Sequence, residues 1–409
     1  MKKDKTPSSE KLIIKALIDN FFTEILNTFE MKKRAIRDLI VFIFGIILYT
    51  QHNSSHSFYN AVPGSPEPSN LNKSLHEFSD IYQSIYLHAV SSAIMWYLSL
   101  KDVYTGTPIY ISIDDTFIEK SGKQKSLKNV KYCGHKKKHG FYIVAIHIQI
   151  GKYHLHGGFR IYQWGGRTKH KLALDLLKEI QPLLSGGNNV TVLADSWYAE
   201  KKLMKYVINK CGWTWISGIK CNRKLDGKSV TQRFKYICNE KYINVSMYKR
   251  DFLATGLIGQ LNDFSESGLF LASKTKKKSY ARTSWRYYYC SNSKLSVQEV
   301  LKRYENRWRI ENDFWTLKEN LAISDFRYRD EKVVETYLSL VFLVYTWICH
   351  LKNMASVRLK KASVSYGVCD MLVEMRRVIQ SFLSEHGSGG LDVLLKEFME
   401  RQSQKEHPK

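Results

Sequence analysis

Between residues 108 and 219 the chain switches repeatedly between two hydrophobic periods, and no other feature narrows its fold as much. Residues 108–113, Pro-Ile-Tyr-Ile-Ser-Ile, carry apolar groups at every second position and read as a strand. Residues 141–150 and 153–162 read as two more, turned at Gly151 and Lys152. Residues 171–184 repeat apolar groups at helical spacing. Residues 190–194 read as a short apolar strand, about 199–210 as a helix and 213–219 as a fifth strand. Such a series buries its apolar faces as a mixed five-stranded sheet with flanking helices. Apolar residues make up 44% of the chain and charged residues 25%, so material for that core exists and wholesale disorder is excluded.

On either side the pattern is different. Leu12, Ile13, Leu17, Phe21, Ile25, Leu26, Ile36 and the run from Leu39 follow helical spacing, interrupted by Lys32, Lys33, Arg34 and Arg37. Pro63-Gly-Ser-Pro-Glu-Pro68 is a loop, and a second helical stretch covers about 73–101. Residues 1–105 therefore read as a helical N-terminal DNA-binding domain. Residues 220–290 hold several β-like runs and read as a β-rich insertion. It carries Lys274, Lys276, Lys277, Lys278 and Arg282, either a solvated face or a phosphate-contacting edge. Helix resumes at Val297 behind a capping box, Ser296 to Glu299. It continues to about 383, and a break at 386–390 precedes a last helix at 391–401. The strand and helix order of the centre is that of an RNase H-like core, built from 106–219 and 291–350. Residues 351–409 form a helical C-terminal region and a candidate dimer contact.

Sixty-three Lys and Arg against 38 Asp and Glu give a net charge of +25. So basic a chain expects a polyanionic partner, nucleic acid first. The seven cysteines are scattered without a Cys-x-x-Cys pair and read as reduced thiols of a cytoplasmic protein. His154 and His156 read as strand positions. The apolar runs at 39–49 and 337–348 fall short of the roughly 20 residues a membrane span needs, so both read as buried helices and no membrane is expected. Asp226-Gly-Lys-Ser229 resembles half a phosphate loop, but Asn222 stands where the first glycine belongs, which excludes an ATPase reading.

The chemistry-bearing residues lie in the centre. Tyr304, Arg307, Glu311 and Lys318, at spacings of three, four and seven, fall within about 60° of one another on a continuous helix. Ile310, Phe314, Leu317 and Leu321 occupy the adjacent, core-facing arc. Taken alone, the polar stripe could be a solvated salt-bridged face. Asp114 and Asp115 end the first strand, however, and Asp195 ends the fourth. Carboxylates at the ends of short apolar strands suit a hard cation such as Mg²⁺. Two aspartates with a helical glutamate can hold a metal pair for phosphoryl transfer. Carbohydrate hydrolysis by paired carboxylates is disfavoured by the net charge and by Arg307 and Lys318 on the same stripe.

Tyr304-x2-Arg307-x3-Glu311-x6-Lys318, with Asp-x-Thr at 114–116 and Asp195 followed by Tyr198, resembles the YREK signature of the DDE insertion-sequence transposases. The resemblance covers about 105–350. It implies an RNase H-like core in which Asp114, Asp195 and Glu311 form a metal-binding catalytic triad on Mg²⁺, with Mn²⁺ able to substitute. The Asp-x-Thr form selects Asp114, with Asp115 as the alternate. Tyr304, Arg307 and Lys318 would grip DNA phosphates, and Trp285 would either receive a flipped base or fill the core. The implied activity is cut-and-paste transposition: terminal inverted repeats are cut by metal-activated water, through a hairpin, and the 3′-hydroxyls are joined to target DNA. A homodimer would bring the two ends together. A structure-specific nuclease and an inactive DNA-binding relative are the rivals.

Overall fold

The computed structural model describes residues 28–49, 53–104, 106–120, 127–184, 189–235, 237, 241–275, 285–358 and 367–396. The expected helical positions at 12–26, together with Lys276, Lys277, Lys278, Arg282 and Cys238, lie outside them.

Among the described residues the first named helices are α1 (Lys33–Leu48), α2 (Ser55–Ala61), α3 (Pro68–Glu77) and α4 (Ser79–Leu98). The central strands follow as β1 (Pro108–Glu119), β2 (Lys131–Cys133), β3 (Lys138–Ile150) and β4 (Tyr153–Tyr162). Then come α5 (Lys169–Leu184), β5 (Asn189–Ala194), α6 (Lys201–Lys205) with a π turn to Lys210, and β6 (Thr214–Gly218). The strands pair in the order β4-β3-β1-β5-β6, antiparallel across β3 and parallel from β1 to β6. This is the mixed sheet with flanking helices that the sequence leads one to expect.

The sheet is longer than five strands. Beyond a small hairpin of β7 (Lys224–Leu225) and β8 (Lys228–Ser229) and the short α7 (Val230–Lys235), the chain forms four further strands. These are β9 (Ile243–Met247), β10 (Arg250–Gln260), β11 (Ser267–Thr275) and β12 (Arg286–Cys290). β12 pairs antiparallel with β6, and β11, β10 and β9 follow in turn, so ten strands share one sheet. The β-rich insertion thus continues the core sheet from its β6 edge, which satisfies main-chain groups a free edge would leave unpaired. The half phosphate loop is the β7–β8 turn, with Asp226 and Gly227 at φ 46° and 80°. That is the geometry an Asp-Gly hairpin turn takes.

Side chains alternate across this sheet and build a separate apolar layer on each face. Tyr287, Tyr289, Phe270 and Ala272 join the larger core, whereas Tyr288, Cys290, Leu269 and Leu271 pack under Val300, Leu301 and Tyr304. Those three belong to α8 (Val297–Glu305), which starts at the expected capping box: Ser296 Oγ accepts from the Glu299 N–H and Glu299 from the Ser296 N–H. A 3-10 turn (Asn306–Trp308), α9 (Arg309–Glu319), α10 (Glu331–Arg358) and α11 (Val368–His386) follow. After a 3-10 turn (Gly387–Gly389) the expected last helix begins and is described as far as residue 396.

α10 is the axis of the molecule. Its stretch Glu331–Met354 is long and apolar enough to cross a membrane, yet 89% of that window is buried inside the protein, against α1, α4 and β4. The described N-terminal helices therefore share one core with the sheet. Asn53 fastens them, its side chain donating to the Leu321 carbonyl at 3.1 Å and the Tyr337 hydroxyl at 2.7 Å. α11 turns Met371, Leu372, Met375, Ile379 and Leu383 inward, and its Arg376 donates to the carbonyls of Ile47 and Asn320. The apolar face of the candidate dimer helix is thus spent within the chain.

Candidate active site

The parallel ladder between β1 and β5 ends where Ile113 lies opposite Ala194. Asp114 and Asp195 are the next residues on their two chains, so main-chain pairing sets them side by side, about 4.8 Å apart as strands are. β5 stops there because Asp195 Oδ1 accepts from the N–H groups of Trp197 (2.8 Å) and Tyr198 (3.2 Å), an Asx turn. β1 does not stop. It runs on to Glu119, paired with β3 as far as Gly140, so Asp114 and Asp115 sit within the strand and not at its end. The sequence pattern marked where β1 loses one neighbour, and β3 supplies the other.

Strand alternation then separates the two aspartates. On one face of β1, Ser112 Oγ lies 3.5 Å from the Asn306 carbonyl and Asp114 Oδ2 accepts from Arg307 Nη1 at 2.9 Å. Further along the same face, Thr116 Oγ1 accepts from Lys318 Nζ at 2.6 Å. The signature segment thus lies along that face of β1. On the other face Asp115 accepts from Lys169 Nζ at 2.6 Å and from the Tyr198 hydroxyl at 2.9 Å.

The signature segment is not one continuous helix. Between α8 and α9 the chain tightens into the 3-10 turn, where the Asn306 side chain donates to the carbonyls of Lys302 (3.4 Å) and Arg303 (3.1 Å). A side chain that competes for helix carbonyls is one way to tighten a turn. Within this turn Arg307 reaches Asp114 with Nη1 while still neighbouring Tyr304 and Glu311, as the expected stripe has it. Its Nη2 donates to Glu311 Oε1 at 2.6 Å, so one guanidinium, with its side chain only 12% exposed, joins two carboxylates. Burial pushes Asp114 up to about 6; Arg307 and the Asp115 N–H oppose this, while the charges of Asp195 and Asp115 add to it. Burial also lowers the pKa of Lys318. Tyr304 is buried, its ring 4.9 Å from that of Tyr288, with Arg307 5.9 Å from its centre.

A cleft of about 650 Å³ opens beside Asp195 and Arg307. Trp285 forms part of its wall, is 37% exposed and has Lys274 Nζ 4.9 Å from its ring, so it is not a core residue. Tyr248, Arg250, Arg286 and Trp308 line the same cleft, and sequence reasoning did not select them. Trp308, half exposed between two arginines, carried a readable signal. Tyr248 and Lys249 carried none: they form a two-residue β9–β10 turn at φ 53° and 56°. That turn docks on the signature segment, where the Tyr248 N–H donates to Glu305 at 2.8 Å and its ring meets Trp308 at 6.0 Å.

Asp114, Asp195 and Glu311 are donors of the kind a hard divalent cation takes. Their arrangement is another matter. Among the described residues no three of His, Cys, Asp and Glu gather closely enough to hold a metal ion. Arg307 engages an oxygen of Asp114 and one of Glu311.

Comparison with known proteins agrees with the fold. A family model described as "Transposase DDE domain" matches residues 106–347. Seven solved chains match in structure. One is a piggyBac transposase synaptic complex with hairpin DNA, solved by cryo-EM. It superposes with a TM-score of 0.52 at 12% sequence identity, covering 100% of this chain and 84% of that one. No curated protein matches.

Proposed function

Because the chain belongs to the transposase DDE-domain family, we propose that it is a cut-and-paste DNA transposase that binds its element's terminal inverted repeats, cuts them and joins the freed ends to target DNA. The observation that supports this most is the single face of β1, where Asp114 stands beside Asp195 and is joined through Arg307 to Glu311.

In this reading Asp114, Asp195 and Glu311 hold Mg²⁺, with Mn²⁺ able to substitute. When bound, such an ion activates a water or 3′-hydroxyl and offsets charge on the leaving oxygen. The chain's own residues do the rest. The Asp pair is held at main-chain spacing, and α9 brings the third carboxylate over the sheet. Arg307 and Lys318 offer a fork and a point charge to phosphate oxygens. Water hydrolyses one strand and leaves a 3′-hydroxyl. That hydroxyl attacks the phosphodiester opposite, displaces the 3′-oxygen of the flanking strand and closes a hairpin. A second water hydrolyses the hairpin to free the 3′-hydroxyl that joins target DNA. Trp285, on the cleft wall beside Lys274, offers a stacking surface to a base displaced by that bend. The hairpin DNA in the similar solved complex belongs to that protein and lends the route plausibility here. Two copies are expected to synapse the two ends, and a monomeric synaptic complex by light scattering would count against that.

The test is a cleavage and strand-transfer assay on the element's own ends with Mg²⁺, comparing wild type with Glu311→Gln. Cleavage and joining that vanish in the variant, with DNA binding kept, support the proposal. Binding without metal-dependent chemistry in the wild type, given correct ends, replaces it with a DNA-binding role.

A further inference from the structure

The donors that the proposed function needs are not free to receive a cation in this structure, and one side chain is responsible. Arg307 spends Nη1 on Asp114 at 2.9 Å and Nη2 on Glu311 at 2.6 Å, while its Nε is buried without a partner among the described residues. Three carboxylates within one site repel one another, and a single guanidinium offsets part of that repulsion. A divalent cation placed on the same oxygens would meet that guanidinium as a like charge, so the two compete for one position.

Arg307 also lines the open cleft, together with the exposed Arg250 and Arg286. A DNA phosphate in that cleft would offer the guanidinium a bidentate partner without moving the backbone. From this geometry we infer that Arg307 is a placeholder for the cation. Without end DNA it neutralises Asp114 and Glu311 and keeps the divalent ion out. A phosphate of the bound end draws it into the cleft and releases both carboxylates as ligands. Binding of the end and of the metal are therefore positively coupled, and linkage makes the coupling reciprocal. The device arms the site on the correct DNA and leaves it inert elsewhere. The inference rests on the metal reading of the proposed function.

The test measures Mn²⁺ binding, not activity. Free Mn²⁺ is counted by paramagnetic resonance in solutions of the full chain, with and without a duplex carrying the terminal repeat, after subtracting binding to the duplex alone. The wild type is expected to bind Mn²⁺ weakly alone and roughly tenfold or more tightly with the duplex, the scale of one lost or gained charge contact. Arg307→Gln is expected to reach the tighter affinity without DNA and to gain little from it, and Glu311→Gln to bind weakly in both states. Equal wild-type affinity with and without the duplex overturns the inference, and that comparison needs no variant to fold. So does an Arg307→Gln protein that binds no more tightly than wild type. Mn²⁺ bound by no form, even Arg307→Gln with the duplex, overturns the metal reading as well.

Discussion

Asp114 and Asp115 are adjacent in sequence and have opposite surroundings. Asp114 faces Arg307, and Asp115 faces Lys169 and Tyr198. Their substitutions should therefore differ in kind. Asp115→Asn loses a largely buried charge pair and is expected to lower the unfolding free energy by about 1–2 kcal/mol in urea titrations while leaving measurable DNA cleavage. Asp114→Asn is expected to abolish cleavage with the fold retained. Equal loss of cleavage in the two variants would overturn that division of roles. That the two aspartates lie on opposite faces follows from strand alternation once β1 runs through both of them. Which face receives the signature segment is a long-range fact that no local pattern carries, and only the Asp-x-Thr resemblance pointed to Asp114. Trp285 was equally open, since an exposed wall and a core position look alike until the cleft exists.

At the scale of elements, what could be read was what local chemistry dictates. The capping box at Ser296, the strands at 141–150 and 153–162 and the Asp-Gly turn of β7–β8 follow from residues near each other in the chain. The 3-10 turn at Asn306 is local as well, its side chain bonding carbonyls three and four residues back, but no sequence pattern marked it. The pairing of β12 onto β6 is not local, being a contact across some seventy residues of sequence. The β9–β10 turn is a sharper case. Tyr248 and Lys249 hold left-handed backbone where glycine or asparagine is usual, a cost of roughly 1–2 kcal/mol per residue. Lys249 is exposed, so Lys249→Gly is expected to raise the unfolding free energy by about 1 kcal/mol, less the entropy glycine adds to the unfolded chain. A fall in thermal midpoint would contradict the strained turn.

On the scale of the molecule, the described N-terminal helices, the sheet and α10 form one body, and histidines that are buried (His156) or partly buried (His154, His350) lie along their junctions. His156 packs 4.2 Å from the Phe342 ring and its Nδ1 meets the Tyr86 hydroxyl, and His350 lies 4.9 Å from Trp96. Burial pushes His154 down to about 2, His156 to about 3 and His350 to about 4. Unfolded, all three take a proton near pH 6.5, so the unfolded chain binds more protons below that pH. Their contribution is fully present above about pH 6.5 and is lost as pH falls towards those folded-state values. Each adds a slope of roughly 1.4 kcal/mol per pH unit, so the three together amount to about 7 kcal/mol between pH 6 and 4. Denaturant unfolding across that range should show proton uptake by the three histidines, reduced by the protons that Asp114 and Asp38 release, since burial raises both carboxyls in the folded state. A flat profile would mean that the histidines are hydrated in the folded state.

The end of the β1–β5 ladder has one more consequence. Two of the three carboxylates are spaced by hydrogen-bonded main chain, a gauge that side-chain packing cannot stretch. The third rides on α9, whose position depends on how Ile310, Phe314 and Leu317 seat in the core. Errors of assembly therefore do not spread evenly over the site. They collect on Glu311, whose reach to the aspartate pair depends on the seating of one helix.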